Sequence, residues 1–228
     1  GSHGLLQRVN WKFEYAGTKC DIPIIYRFSK GIVFDIITPL DDVKLRQFFN
    51  KYEDIEESLT PLQKQCAQQE HPYQGLSIRE VWINGTQVED GYSSSNAINI
   101  PWKEQNIELL RIYKAYPYLL KDKSCFACER FCMPYPKADS IIGKLRRFFR
   151  LDRVNNFKIC THPVHRFFPL DIHFDMTVEK GQKKVCFEHP VTGIRHTLSI
   201  QNPQFIEIPF RAGGNSSFYA TQAMYEID

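Results

Sequence analysis

Residues 80–89 read Glu80-Val81-Trp82-Ile83-Asn84-Gly85-Thr86-Gln87-Val88-Glu89, and this stretch decides the fold class. Asn-Gly supplies the two positive-φ positions of a type I′ turn, and alternating apolar and polar residues flank it on both sides. A hairpin of this kind belongs to an antiparallel sheet. Upstream the pattern recurs: Val9 to Tyr15 alternates, and Ile22 to Phe28 pairs with Ile32 to Ile37 across Ser29-Lys30-Gly31. Asp35 lies inside the second of these strands, and its expected ion-pair partner is Arg27 across the hairpin, because buried carboxylates are rarely unpaired.

Downstream, short strands are expected at Phe157–Cys160, Asp171–Val178, Lys184–Glu188, Arg195–Ile200, Phe205–Pro209 and Ser217–Ile227. Turn chemistry separates them at Glu179-Lys180-Gly181, Pro190-Val191-Thr192-Gly193 and Ala212-Gly213-Gly214-Asn215. Helical period takes over in between. Leu45, Phe48, Phe49, Tyr52 and Ile55 form one apolar stripe. Thr60, Pro61 and Gln63 spell a capping box with proline at the first helical position, and that helix fades by His71-Pro72. Asn106 to Tyr116 fits a strand or a short helix equally well.

These signals define an α+β fold, predominantly antiparallel β (a sandwich or half-open barrel). A few helices fall in the N-terminal half and one basic helix in a central crossover. The segments are a mixed half (4–120), a cysteine-containing crossover with the basic helix (121–156) and an antiparallel half (157–228). No flexible linker separates them, so they can share one core.

The composition is that of a globular protein, with 43% apolar and 24% charged residues in 228. Aromatics make up 14%, 17 of them Phe, which suits pleated, half-buried surfaces. The net charge of +3 is too small to argue by itself for nucleic acid or an anionic membrane. No apolar run approaches the length of a membrane span. Gly1-Ser2-His3 looks like a purification-tag scar, so a missing signal peptide carries no weight. Seven clustered cysteines point to a reducing, cytoplasmic setting with metal ligation or free thiols, rather than to a disulfide framework.

The densest chemistry is Cys125-Phe126-Ala127-Cys128 with Cys132, followed by Cys160, His162 and His165. A tight backbone knuckle can place two cysteines three apart on one tetrahedral ion, so a structural zinc site is expected here, its shell drawn from these six residues. Iron is the lesser alternative, because Cys125, Cys128, Cys132 and Cys160 match only part of a ferredoxin run. Uncoordinated or disulfide-forming cysteines are the third.

His173-Phe174-Asp175 places an imidazole and a carboxylate on one face of an expected strand. The triplet resembles half of the two-His-one-carboxylate site of iron-dependent dioxygenases, with His189 or His196 as the further ligand and Arg211 meeting an acidic cosubstrate. That resemblance implies a metal-dependent enzyme using His173, Asp175, His196 and Arg211. It departs from the family in that the distal histidine follows too closely. A competing expectation for His196 comes from the hairpin: if residues 190–193 turn the chain, Glu188 faces Arg195, and His196 lies opposite Phe187 beside Val185 and Leu198.

Ile141-Ile142-Gly143-Lys144-Leu145-Arg146-Arg147-Phe148-Phe149-Arg150-Leu151 combines helical period with cationic charge. Asp139 or Ser140 can cap it. Lys144, Arg147 and Arg150 face one way and suit an anionic partner, whether nucleic acid, an acidic protein or a membrane surface. The apolar stripe of Ile141, Leu145 and Phe148 is expected to dock on the sheet and to control stability. The resulting expectation is a non-catalytic binding module with a Cys/His zinc site and a basic helix.

Overall fold

Ala16 and Gly17 take φ of 48° and 75°, closing a tight hairpin between β1 (Leu5–Tyr15) and β2 (Thr18–Arg27). The computed structural model that shows this describes residues 3–103, 106–137, 140–149, 152–175, 181–209 and 217–228. The chain divides into two compact units, Gly1–Arg166 and Phe167–Asp228. It is an α+β protein dominated by antiparallel sheet.

In the first unit β2 turns into β3 (Gly31–Pro39) as expected, with Ile25 opposite Phe34, Tyr26 opposite Val33 and Arg27 opposite Ile32. A side chain at Gly31 would overlap the Met133 carbonyl oxygen of the neighbouring strand, so only glycine fits there. That neighbour is β7 (Phe126–Pro134), which runs antiparallel to β3 along its whole length. β6 (Ser93–Asn99) pairs with its other edge and completes the order β1-β2-β3-β7-β6.

The cysteine segment is therefore a strand inside the main sheet, not an irregular crossover. Apolar residues at both odd and even positions of 125–133 explain this, because a strand covered on both faces reads as a near-continuous apolar run. The same register corrects the partner of Asp35. Arg130 stands opposite it on β7 and donates Nε and Nη2 to its two oxygens at 2.7 and 2.9 Å, while Arg27 donates to the Asp152 carbonyl.

The hairpin at Asn84-Gly85 joins β4 (Ile78–Ile83) to β5 (Thr86–Gln87), with φ of 50° and 82° at the turn. β8 (Phe157–Thr161) pairs with β4, giving a three-stranded sheet of order β5-β4-β8. Ile78, Val81 and Ile83 of this sheet pack with Ile22, Ile25, Ile32, Phe34, Phe131 and Met133 of the larger one, as in a sandwich. Each such buried side chain contributes roughly 1.5–3 kcal/mol.

α1 (Asp42–Tyr52) runs into a 3₁₀ turn at Glu53–Ser58, and Leu45 of α1 packs with Leu40, Cys125 and Ala127. α2 (Pro61–Glu70) starts with the expected capping box of Thr60 and Gln63. The segment left open between strand and helix is α3 (Ile107–Ala115), because the Asn106 side chain caps Glu108 and Leu109. Leu109 of α3 covers Ile37, Phe126 and Cys128. α4 (Ile141–Phe148) follows β7.

The second unit is one sheet of order β11-β10-β9, with β9 at Gln182–Glu188, β10 at Arg195–Pro209 and β11 at Ser217–Ile227. Its first hairpin has the expected register, with Glu188 opposite Arg195, Phe187 opposite His196 and Val185 opposite Leu198. The two strands expected at Arg195–Ile200 and Phe205–Pro209 are one strand, interrupted in pairing between Gln201 and Gln204 where Asn202 takes φ of 50°. Residues 171–175, expected in a strand, have no regular structure, and 176–180 lie outside the described residues. β8 belongs to the first unit through its pairing with β4, so the division falls after Arg166.

Candidate interaction surface at the basic helix

Ser140 starts α4 by accepting the Gly143 N–H on its hydroxyl at 3.0 Å, while Asp139, the other possible cap, lies outside the described residues. With 3.6 residues per turn, Ile141, Ile142, Leu145, Phe148 and Phe149 fall within an arc of roughly 120°. Lys144 flanks that arc on one side and Arg146 on the other. Gly143 and Arg147 lie opposite it, and they are the least exposed positions of the segment 141–149.

This orientation reverses the expected docking. Ile141 is 78% exposed, Ile142 71%, Leu145 52%, Phe148 67% and Phe149 61%. The polar side holds the helix instead. Arg147 donates to the Pro136 carbonyl, and its guanidinium lies 5.4 Å from the centre of the Tyr135 ring. Arg146 donates Nε to Asp152 at 2.7 Å, and the Asp152 carbonyl in turn accepts Nη1 of Arg27 at 2.7 Å. The apolar stripe was correctly located along the sequence, but it faces solvent. Arg150 lies outside the described residues.

The ends of the α4 segment are fixed by groups that sequence reading missed. Before it, the Tyr135 N–H donates to Lys30 O at 3.1 Å. After it, the buried Gln7 amide donates to Val154 O at 2.7 Å and accepts the Val154 N–H at 3.1 Å, as a neighbouring strand would. Asn84 does more than turn the hairpin: its Nδ2 donates to Arg153 O at 2.8 Å, and its Oδ1 accepts the N–H groups of Asn155 and Asn156. All three anchors join residues far apart in the chain, and no local pattern announces them.

The six residues expected to hold zinc are not brought together. Cys125 and Cys128, three apart on extended backbone, project to opposite faces of the main sheet. Cys125 packs with Leu40, Leu45 and Ala127, Cys128 with Ile37, Leu109 and Phe126. Burial, aided by Asp42, pushes the Cys125 thiol up to about 12. Burial and the nearby Asp35 carboxylate push Cys128 up to about 12 as well, so neither is poised as a thiolate. Cys132 shares a face with Cys128 but stands four strand residues away, roughly 13 Å, too far to share an ion. Cys160 pairs with Glu80 on the side of its sheet opposite Ile159, which packs against the core. His162 and His165 are exposed, and the His162 N–H donates to Ser77 O. All seven cysteines are free.

The His/Asp constellation of the second unit is likewise not assembled. His173 Nε2 lies 3.0 Å from Asp171 on exposed chain, and the Lys183 ammonium donates to the Asp175 carbonyl. His196 lies against Phe187, as the expected hairpin register has it, and its Nδ1 is 3.0 Å from Asp228 O. Arg211 lies outside the described residues. Among the described residues no three His, Cys, Asp or Glu side chains are grouped to hold a metal ion. Among them, too, no helix is long and apolar enough to cross a membrane.

Comparison of the chain with protein-family models, with curated proteins and with solved structures finds no match.

Proposed function

We propose that the protein is a non-catalytic binding module that engages an anionic partner through α4. One observation supports this reading: the helix is seated by Gly143 and Arg147, which leaves Lys144 and Arg146 at the borders of an exposed face. Seven cysteines without a disulfide among them suit a reducing, cytoplasmic setting for this module.

A salt titration tests the reading. Binding of the whole chain to a DNA duplex, to polyglutamate and to vesicles containing phosphatidylserine is measured at rising ionic strength. At least one of the three should bind, and its affinity should fall with salt as counterions compete. Lys144→Gln with Arg146→Gln should weaken that binding by about tenfold, since each exposed cation contributes roughly 0.5–1 kcal/mol against an anionic surface. Absence of binding to all three, or binding indifferent to salt and to the double substitution, overturns the reading.

A further inference from the structure

We infer that the anionic partner of α4 is a lipid bilayer surface, entered by the apolar face of the helix. This rests on the reading that α4 engages an anionic partner and names that partner. A nucleic acid would meet the cations but would leave Ile141, Ile142, Leu145, Phe148 and Phe149 without an apolar counterpart, and an acidic protein would have to offer a separate apolar groove beside its carboxylates. A bilayer interface supplies both surfaces at once. Acyl chains receive the apolar arc, and phosphates lie level with its borders, where Lys144 and Arg146 stand.

The geometry fits in three respects. First, the apolar arc points away from the contacts that hold the helix, because Arg147 grips Pro136 and Tyr135 on the opposite side. The helix can therefore enter the interface without leaving the protein. Second, eight residues span about 12 Å, enough to lie in the plane of the interface but far too short to cross it. Third, both flanks carry cations: Lys144 on one side and, on the other, Arg146, which is bonded to Asp152 through Nε but keeps 60% of its side chain exposed; their long apolar stems let the heads reach lipid phosphates while the stems cover acyl chains.

Vesicle partitioning tests the inference. Whole protein is sedimented with phosphatidylcholine vesicles and with vesicles that also contain phosphatidylserine. Wild type should partition onto the mixed vesicles about tenfold or more above the neutral ones. Leu145→Ser with Phe148→Ser should lower that partition by about tenfold or more, since it removes two of the five apolar side chains of the arc. A second variant, Phe148→Trp, gives a readout independent of affinity: its emission, taken as the difference from wild type, should shift to shorter wavelength on mixed vesicles. Equal partition of wild type and the serine variant, or an unshifted tryptophan, overturns the inference. Salt-sensitive binding to DNA or polyglutamate without binding to vesicles overturns it too, while leaving the anionic-partner reading in place. Binding to none of the three probes removes both.

Discussion

At Asn84 and Gly85 two neighbouring residues do separate jobs. Gly85, at φ of 82°, closes the turn and has nothing within 4 Å of where a side chain would stand, so its replacement costs backbone strain alone. Gly85→Val should therefore lower stability by about 1–3 kcal/mol in a denaturant titration, and an unchanged midpoint would contradict the turn geometry. The need for glycine was legible, because Asn-Gly is a local signal. The second job of Asn84, holding Arg153, Asn155 and Asn156, was not, since it depends on where a segment some seventy positions later returns. The partner of Asp35 was misread for the same reason. Hairpin proximity favoured Arg27, while the pairing of β3 with β7 places Arg130 opposite. Short-range chemistry reads well from sequence, and strand neighbours distant in the chain do not.

At the scale of elements, the caps were the most legible features. Thr60 and Gln63 start α2 as the sequence required, and its end depends on His71. The His71 N–H donates to Ala67 O, and its Nδ1 lies 3.0 Å from both the Tyr73 nitrogen and the Tyr73 carbonyl, the first contact suiting a bare nitrogen and the second a protonated one. Burial beside Phe48 holds the imidazole below its ordinary pKa, and the Tyr73 carbonyl offsets this only in part. The unfolded chain then takes up the proton first as pH falls. The contribution of His71 to stability is present above its unfolded pKa of about 6.5 and is lost as pH falls through the lower folded value. Melting curves of wild type and His71→Gln should differ in slope over this acid range, with the variant losing less stability on acidification. Parallel curves would rule out a neutral, half-buried His71. β7 is the opposite case among elements. Its cysteine spacing suggested a metal knuckle, but a strand covered on both faces sends alternate side chains apart and turns the same residues into core.

At the scale of the whole molecule, the antiparallel character and the sites of most strands were legible. The way layers cover one another was not. Periodicity placed an apolar stripe on α4, yet periodicity has no sign: it cannot say whether the stripe or the cationic side faces the protein. Two contacts far smaller than a core decide it, from Arg147 to Pro136 and from Arg147 to Tyr135. Everything proposed for function depends on this orientation. It is tested most directly by the thermal melt of the whole chain carrying Leu145→Ser and Phe148→Ser, in the absence of any partner. Exposed residues replaced on a free surface change stability by no more than about 0.5 kcal/mol each, so the midpoint should stay within about 2–4 °C of wild type. A fall of about 10 °C or more, as two lost core side chains at roughly 2–5 kcal/mol each would give, would show that the stripe is packed against the protein and that α4 presents no apolar face to a partner.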